Sequence, residues 1–120
     1  MNSKEPYDDL ESLREMFGAN FGEVVTIYRT DTPARIAAMR KAACEEDRLA
    51  MARLAHALGG SCASIGAMRM ANLCRKLERR CNVSMFDEWS TLLDAINEEY
   101  THIDAQLQSA MQNQAVNAVK

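Results

Sequence analysis

Apolar side chains recur at steps of three and four from Trp89 to Leu107: Trp89, Leu92, Leu93, Ile96, Tyr100, Ile103 and Leu107. That period matches one face of an α-helix and no strand, whose faces alternate every second residue. A long helix with such a stripe must bury it against other helices or against a sheet. The rest of the chain offers no sheet. It has five Gly and two Pro, lacks an Asn-Gly or Asp-Gly hairpin signal, and contains eight Met beside abundant Ala and Leu, a composition that favours helix. The run Val24-Val25-Thr26-Ile27-Tyr28 has strand propensity, yet it lies between helical patterns and has no second run to pair with.

Further stripes divide the chain. Leu10, Leu13, Met16 and Phe17 predict a short helix from Asp8 to Phe17, followed by Gly18, and Phe21, Val24, Val25 and Tyr28 predict a second one. Asp31-Thr32-Pro33 is a helix-start signal, a capping side chain before a Pro whose missing N–H costs nothing there. Ile36, Met39 and Ala43 carry that helix to Cys44. Glu45-Glu46-Asp47 then places acid at the start of a helix bearing Met51, Leu54, Ala55, Leu58, Cys62 and Ile65, with Gly66 closing it. Met70, Leu73, Cys74, Leu77 and Cys81 mark the next helix, and a turn at Asn82 to Ser84 leads into the last. The expected fold is all-α: an antiparallel four-helix bundle with short additional N-terminal helices. Residues 1–120 form one domain in this reading, with 1–7 and 112–120 as frayed ends.

The balance of 14 Lys and Arg against 17 Asp and Glu gives a net charge of −3, which argues against a nucleic-acid partner. No run of about 18 apolar residues exists to span a bilayer, and the start MNSKEPYDDLESL has no secretory pattern. The expectation is a cytoplasmic protein with no membrane partner. Cys44, Cys62, Cys74 and Cys81 include no C-x-x-C pair, so a metal site would need ligands from distant helices, and disulfides are not expected without secretion. All four are expected as small buried thiols, and His102 as a surface residue.

One helix departs from the usual pattern. On a wheel with Met51 at zero, the core residues Leu54 to Ile65 fall within roughly 60°, while His56 falls at about 140° on the solvent side. The helical neighbours of His56 are Ala52, Gly59, Gly60 and Ala63, all small. Exposed helix positions ordinarily carry Lys, Glu, Gln or Arg, and two glycines within a helix cost roughly 0.8–1 kcal/mol each relative to Ala. The arrangement suits an imidazole cleared for another molecule's approach, able to attack phosphorus and hold it as a phosphoramidate. It also suits an incidental surface histidine beside a helix-ending Gly-Gly, since an exposed His is common and requires no explanation. Spacing alone leaves both open.

The ordered set His56-Ala57-Leu58-Gly59-Gly60-Ser61, then Gly66-Ala67, Leu73-Cys74 and Leu77-Glu78, resembles the signature of histidine-containing phosphotransfer (HPt) domains. Upstream, Tyr28, Asp31-Thr32-Pro33, the Ala-rich stretch to Cys44 and Asp47 also fit, so the resemblance spans about Leu10 to Leu107. It implies a helical bundle in which His56 carries a phosphoryl group. Gly60 would make room for phosphate and the incoming partner, with Ser61 as a small polar neighbour. Leu58, Cys74 and Leu77 would lie in the interior. Glu78 matches an acidic or amide position that can face the carrier, holding its Nδ1–H and leaving Nε2 as nucleophile.

Gly59 departs from the family, which usually has Lys there to help neutralise phosphate. Arg53, Arg75, Lys76, Arg79 and Arg80 are the candidate replacements. Leu49 falls near His56 on the wheel, at about 160°, and with Ala52 and Ala63 forms an expected docking surface.

The resemblance thus implies a stand-alone phosphorelay intermediate, carrying a phosphoryl group on His56 between receiver-domain aspartates of a hybrid sensor kinase and of a response regulator. It implies a phosphocarrier and not an enzyme, since the chain has no Gly-rich phosphate loop or ATP-lid segment. No cofactor is expected in this chain, Mg²⁺ being supplied in the partner's aspartate pocket, and the protein is expected to act as a monomer. The alternatives are a degenerate relative or adaptor bundle that binds receivers without carrying phosphate and, more remotely, a metal-binding bundle.

Overall fold

The computed structural model describes residues 15–83 and 86–119. Four helices follow a 3-10 turn at Gly18–Asn20: α1 (Phe21–Cys44), α2 (Arg48–Ser64), α3 (Met68–Arg80) and α4 (Phe86–Val119). No strand occurs among the described residues. Each helix packs on its sequence neighbours, and α4 closes the ring against α1, which gives the expected antiparallel bundle. Most of the expected helix from Asp8, the 1–7 end and Ser84 lie outside the described residues; residues 15–17 are helical. At the other end the α4 backbone is helical as far as Val119.

The stripe of α4 is buried throughout, from Trp89 to Leu107. Phe21, Val25, Tyr28, Ile36 and Met39 from α1 meet it, and Met51, Ala55, Leu58, Met70 and Leu77 complete the core. Leu54, Leu73 and Ala43 are half-buried at its edge.

One helix boundary differs from the sequence reading. No helix starts at Asp31: α1 runs unbroken through Pro33, and Thr32, expected in a capping triplet, is fully buried within it. An interior Pro removes the bond its N–H would make to the carbonyl four residues earlier, here that of Arg29. The Tyr100 hydroxyl lies within donating distance of this same carbonyl at 3.3 Å, its one proton shared with Asp104 Oδ1, also at 3.3 Å. A side chain from α4 therefore supplies the donor that Pro33 lacks. Arg29 also pairs with Asp104 at 2.6 Å, and the Tyr28 and Tyr100 rings lie 5.9 Å apart, so α1 and α4 are clamped around the irregular turn.

The ends of α2 behave as the sequence suggests. Asp47 caps it, accepting from the Ala50 N–H at 3.1 Å. At the other end Gly66 adopts φ +82°, while the Ala67 and Gly66 N–H groups return to the Cys62 and Ala63 carbonyls at 2.9 and 3.1 Å. This is a left-handed helix stop that disfavours any residue with a Cβ. Arg48, at the start of α2, donates to the Cys81 and Val83 carbonyls at 3.1 and 3.0 Å. It satisfies the end of α3 and holds the α2–α3 hairpin closed at its base.

Three cysteines are buried, but Cys44 is exposed, contrary to the reading of all four as buried thiols. It sits at the last position of α1, where the chain turns out toward Glu45 and Glu46.

Candidate functional site

His56 sits midway along α2, and its side chain is 78% exposed. The apolar face of α2 is committed to the core through Met51, Ala55, Leu58 and Cys62, so a residue about 140° around the helix must project outward. One edge of its ring is engaged. Nδ1 lies 3.1 and 3.3 Å from the two carboxylate oxygens of Glu78 on α3. With Nδ1 donating to the carboxylate, the lone pair is left on Nε2, at the opposite edge of the ring. His102 is exposed on α4, as expected.

The two neighbouring glycines have different surroundings. A Cβ on Gly60 would meet nothing within 4 Å, so this exposed position leaves open space beside the ring. Gly59 was expected on the same open face, but it is buried. A Cβ there would lie 3.3 Å from Cys74 Cβ and 3.7 Å from the Ala71 carbonyl. Gly59 lets α2 and α3 approach closely and contributes no clearance around His56. It lies at about 80° on the wheel used above, the margin of the core stripe, which turns it into the seam with α3.

That seam also contains sulfur. The Tyr28 hydroxyl lies 3.3 Å from Cys62 Sγ and 3.3 Å from Met70 Sδ. The Cys74 thiol is pushed up first by its hydrogen bond with Cys62 and then by burial, so it remains protonated and unreactive. Leu58, Cys74 and Leu77 are all fully buried, in agreement with the expected interior positions.

Ser61 is displaced from its expected place. It is about 140° around α2 from His56 and lines a groove toward α1 with Ala57, Val24, Ile27 and Tyr28. It is therefore not beside the open edge of the imidazole. Ala52 and Ala63 are half-buried, packed on the core edge along the His56 side of α2. Leu49 is 62% exposed. It borders a shallow groove with Arg48, Ala52, Cys81 and Asn82, one to two turns from the carrier. Sequence reading missed Arg48 and Asn82 here, because their surroundings are made by a chain segment more than thirty residues away.

The basic candidates fall into two groups. Lys76 and Arg80 line a groove with Glu88, Thr91 and Leu92 of α4, and Arg80 pairs with Glu88 at 3.3 Å. Both are about 160° around α3 from Glu78 and face away from His56. Arg53, Arg75 and Arg79 are exposed, and Arg75 donates to Asn72 at 3.4 Å. Arg53 is one turn from His56 on the side away from Gly59 and α3.

Among the described residues no group of three or more His, Cys, Asp or Glu side chains could hold a metal ion. No helix there is long and apolar enough to cross a membrane. A family model described as the Hpt domain matches residues 23–106. Among solved structures, the chain resembles histidine-containing phosphotransfer protein B (HptB) from Pseudomonas aeruginosa PAO1. The two are 20% identical, the match covers 93% of this chain and 98% of that one, and the TM-score is 0.86. No curated protein sequence matches the chain.

Proposed function

Because the chain belongs to the Hpt domain family, whose members are phosphocarriers of two-component phosphorelays, we propose that His56 is its phospho-accepting residue. The protein then acts as an intermediate between a hybrid sensor kinase's receiver domain and that of a response regulator, in the cytoplasm and as a monomer. The observation carrying this reading is the exposed ring held through Nδ1 by Glu78.

In the transfer, the Nε2 lone pair attacks the phosphorus of a receiver's aspartyl phosphate. The Nε2–P bond forms as the P–O bond to the aspartate breaks, and that bond's electron pair leaves on the carboxylate. Nδ1 keeps its proton, so the phosphorylated ring is cationic, and Glu78 lies where this positive charge develops. The reverse sequence delivers the group to a second receiver. Glu78 acts on the imidazole and is a positioning residue. Gly60 leaves the approach to the ring open, and Leu49 with Ala52 and Ala63 supplies contact surface for the partner. The receiver's pocket would hold Mg²⁺, which would supply charge stabilisation for the transferring group from that side.

Arg53 and Arg79 are the cations placed to stand in for the family Lys, with Arg53 nearer on the same helix. Gly59 supports the transfer indirectly, by setting the separation of the helices that carry His56 and Glu78. Ser61 has no direct part in this account.

The test is phosphotransfer profiling against the receiver domains of the source organism, with His56→Gln as control. A carrier drains label from the donor's aspartate into this chain and onward. A protein that only binds receivers leaves the label where it was.

A further inference from the structure

The net charge of −3 conceals a strong segregation. Residues 48–80, the α2–α3 hairpin, contain seven Lys and Arg but a single carboxylate, a formal +6. The remainder of the chain accordingly carries −9. The hairpin's one carboxylate, Glu78, is the group that holds His56.

The fold neutralises only part of this charge. Arg80 is paired with Glu88 of α4 and Arg69 lies 4.0 Å from Glu99, while Arg48 is committed to the end of α3. Arg53, Arg75, Lys76 and Arg79 are exposed and have no carboxylate partner among the described residues. Lys76 faces away from His56 toward α4, so Arg53, Arg75 and Arg79 form an exposed cationic surface flanking the carrier on an otherwise acidic protein.

We infer that this face is the recognition surface for an acidic rim around the partner receiver's aspartate pocket, steering the two active groups together. The inference rests on the carrier role proposed above and deepens it by naming the partner's surface chemistry. The pocket that would deliver the phosphoryl group to His56 would itself be anionic, since an acyl phosphate and carboxylates able to bind Mg²⁺ would meet there. Opposed potentials of this kind act mainly on association rate and on rejection of wrong partners. The acidic remainder of the chain repels the same partner and so discourages docking through any other face. A nucleic acid would also meet the cations, but residues 48–80 contain no Phe, Tyr or Trp for base stacking. The exposed Leu49 beside the patch suits a protein surface better.

The test measures association of the full chain with the source organism's purified receiver domains, between about 50 and 500 mM salt. Wild-type association should fall about tenfold or more over that range. Arg75→Glu with Arg79→Glu should match that loss already at low salt and converge with wild type at high salt. Lys41→Glu, on α1 outside the hairpin, should change association less than about twofold. Circular dichroism checks folding, and if the double reversal does not fold, Arg75→Gln with Arg79→Gln replaces it and should show a smaller loss. Salt-independent binding, equal rates for the hairpin variants and wild type, or tighter binding to a short DNA duplex than to any receiver would each overturn the inference. With phosphotransfer intact, those results leave the carrier role standing; absence of binding to every receiver removes both.

Discussion

His56 and Glu78, on adjacent helices, are joined by contacts of 3.1 and 3.3 Å from one imidazole nitrogen to both oxygens of one carboxylate. A carboxylate at these distances favours the Nδ1-protonated tautomer, so its removal should act on the ring and not on the fold. Glu78→Ala is expected to leave the melting curve nearly unchanged, since surface ion pairs contribute little stability. Phosphoryl transfer should slow on the order of tenfold. Glu78→Gln retains an acceptor for Nδ1–H and should recover much of the rate. Nitrogen chemical shifts of His56 report the tautomer directly: predominantly Nδ1-protonated in wild type and Glu78→Gln, mixed in Glu78→Ala.

Gly59 and Gly60 are consecutive but should respond in opposite ways to the same substitution. At Gly60 an added methyl meets open space, so Gly60→Ala should stabilise the helix by about 0.8–1 kcal/mol while slowing transfer by crowding the carrier. At Gly59 the methyl meets Cys74 Cβ at 3.3 Å. Gly59→Ala should lose that helix gain to overpacking, which typically costs about 1–3 kcal/mol. Denaturant melts of the two variants, beside their transfer rates, check both halves.

The helical class and the core stripes were readable in the sequence because periodicity is a local signal, and α4 from Trp89 to Leu107 shows it most clearly. Exposure of His56 followed from the same wheel. Gly59 was misplaced because an angle at the edge of a stripe does not reveal which neighbour closes over it. Pro33 was misread for a related reason. Its tolerance depends on Tyr100, 67 positions later in the chain, which no local rule for proline includes. Glu78 came from family resemblance, and only the structure gives its two distances to the ring. The charge segregation was present in the sequence throughout, hidden by summing it.

Tyr100 offers a test of how α1 survives its internal proline. Tyr100→Phe removes the donor to the Arg29 carbonyl and should cost about 1 kcal/mol. Pro33→Ala restores the backbone N–H, so in that background Tyr100→Phe should cost less. A double-mutant cycle by chemical denaturation measures the coupling. Independent effects would mean that the hydroxyl does not substitute for the missing donor.

The same tyrosine gives a pH signature. Burial, then the nearby Asp104 carboxylate, pushes its pKa up from 10.0 to about 12. The unfolded chain therefore loses this proton first as pH rises. Its contribution to stability is complete below about pH 10 and is lost as pH climbs toward 12. Wild-type stability should fall across that window, and Tyr100→Phe should fall less steeply. Unfolding free energies measured on the alkaline side distinguish the two slopes.

The most direct measurement is the location of the phosphoryl group after incubation with a phosphorylated receiver, by phosphorus NMR and fragmentation mass spectrometry. The account predicts a single acid-labile, alkali-stable modification on His56 at Nε2, absent in His56→Gln. Phosphate on Nδ1 or on another residue, or none on a chain that still binds the receiver, would contradict it.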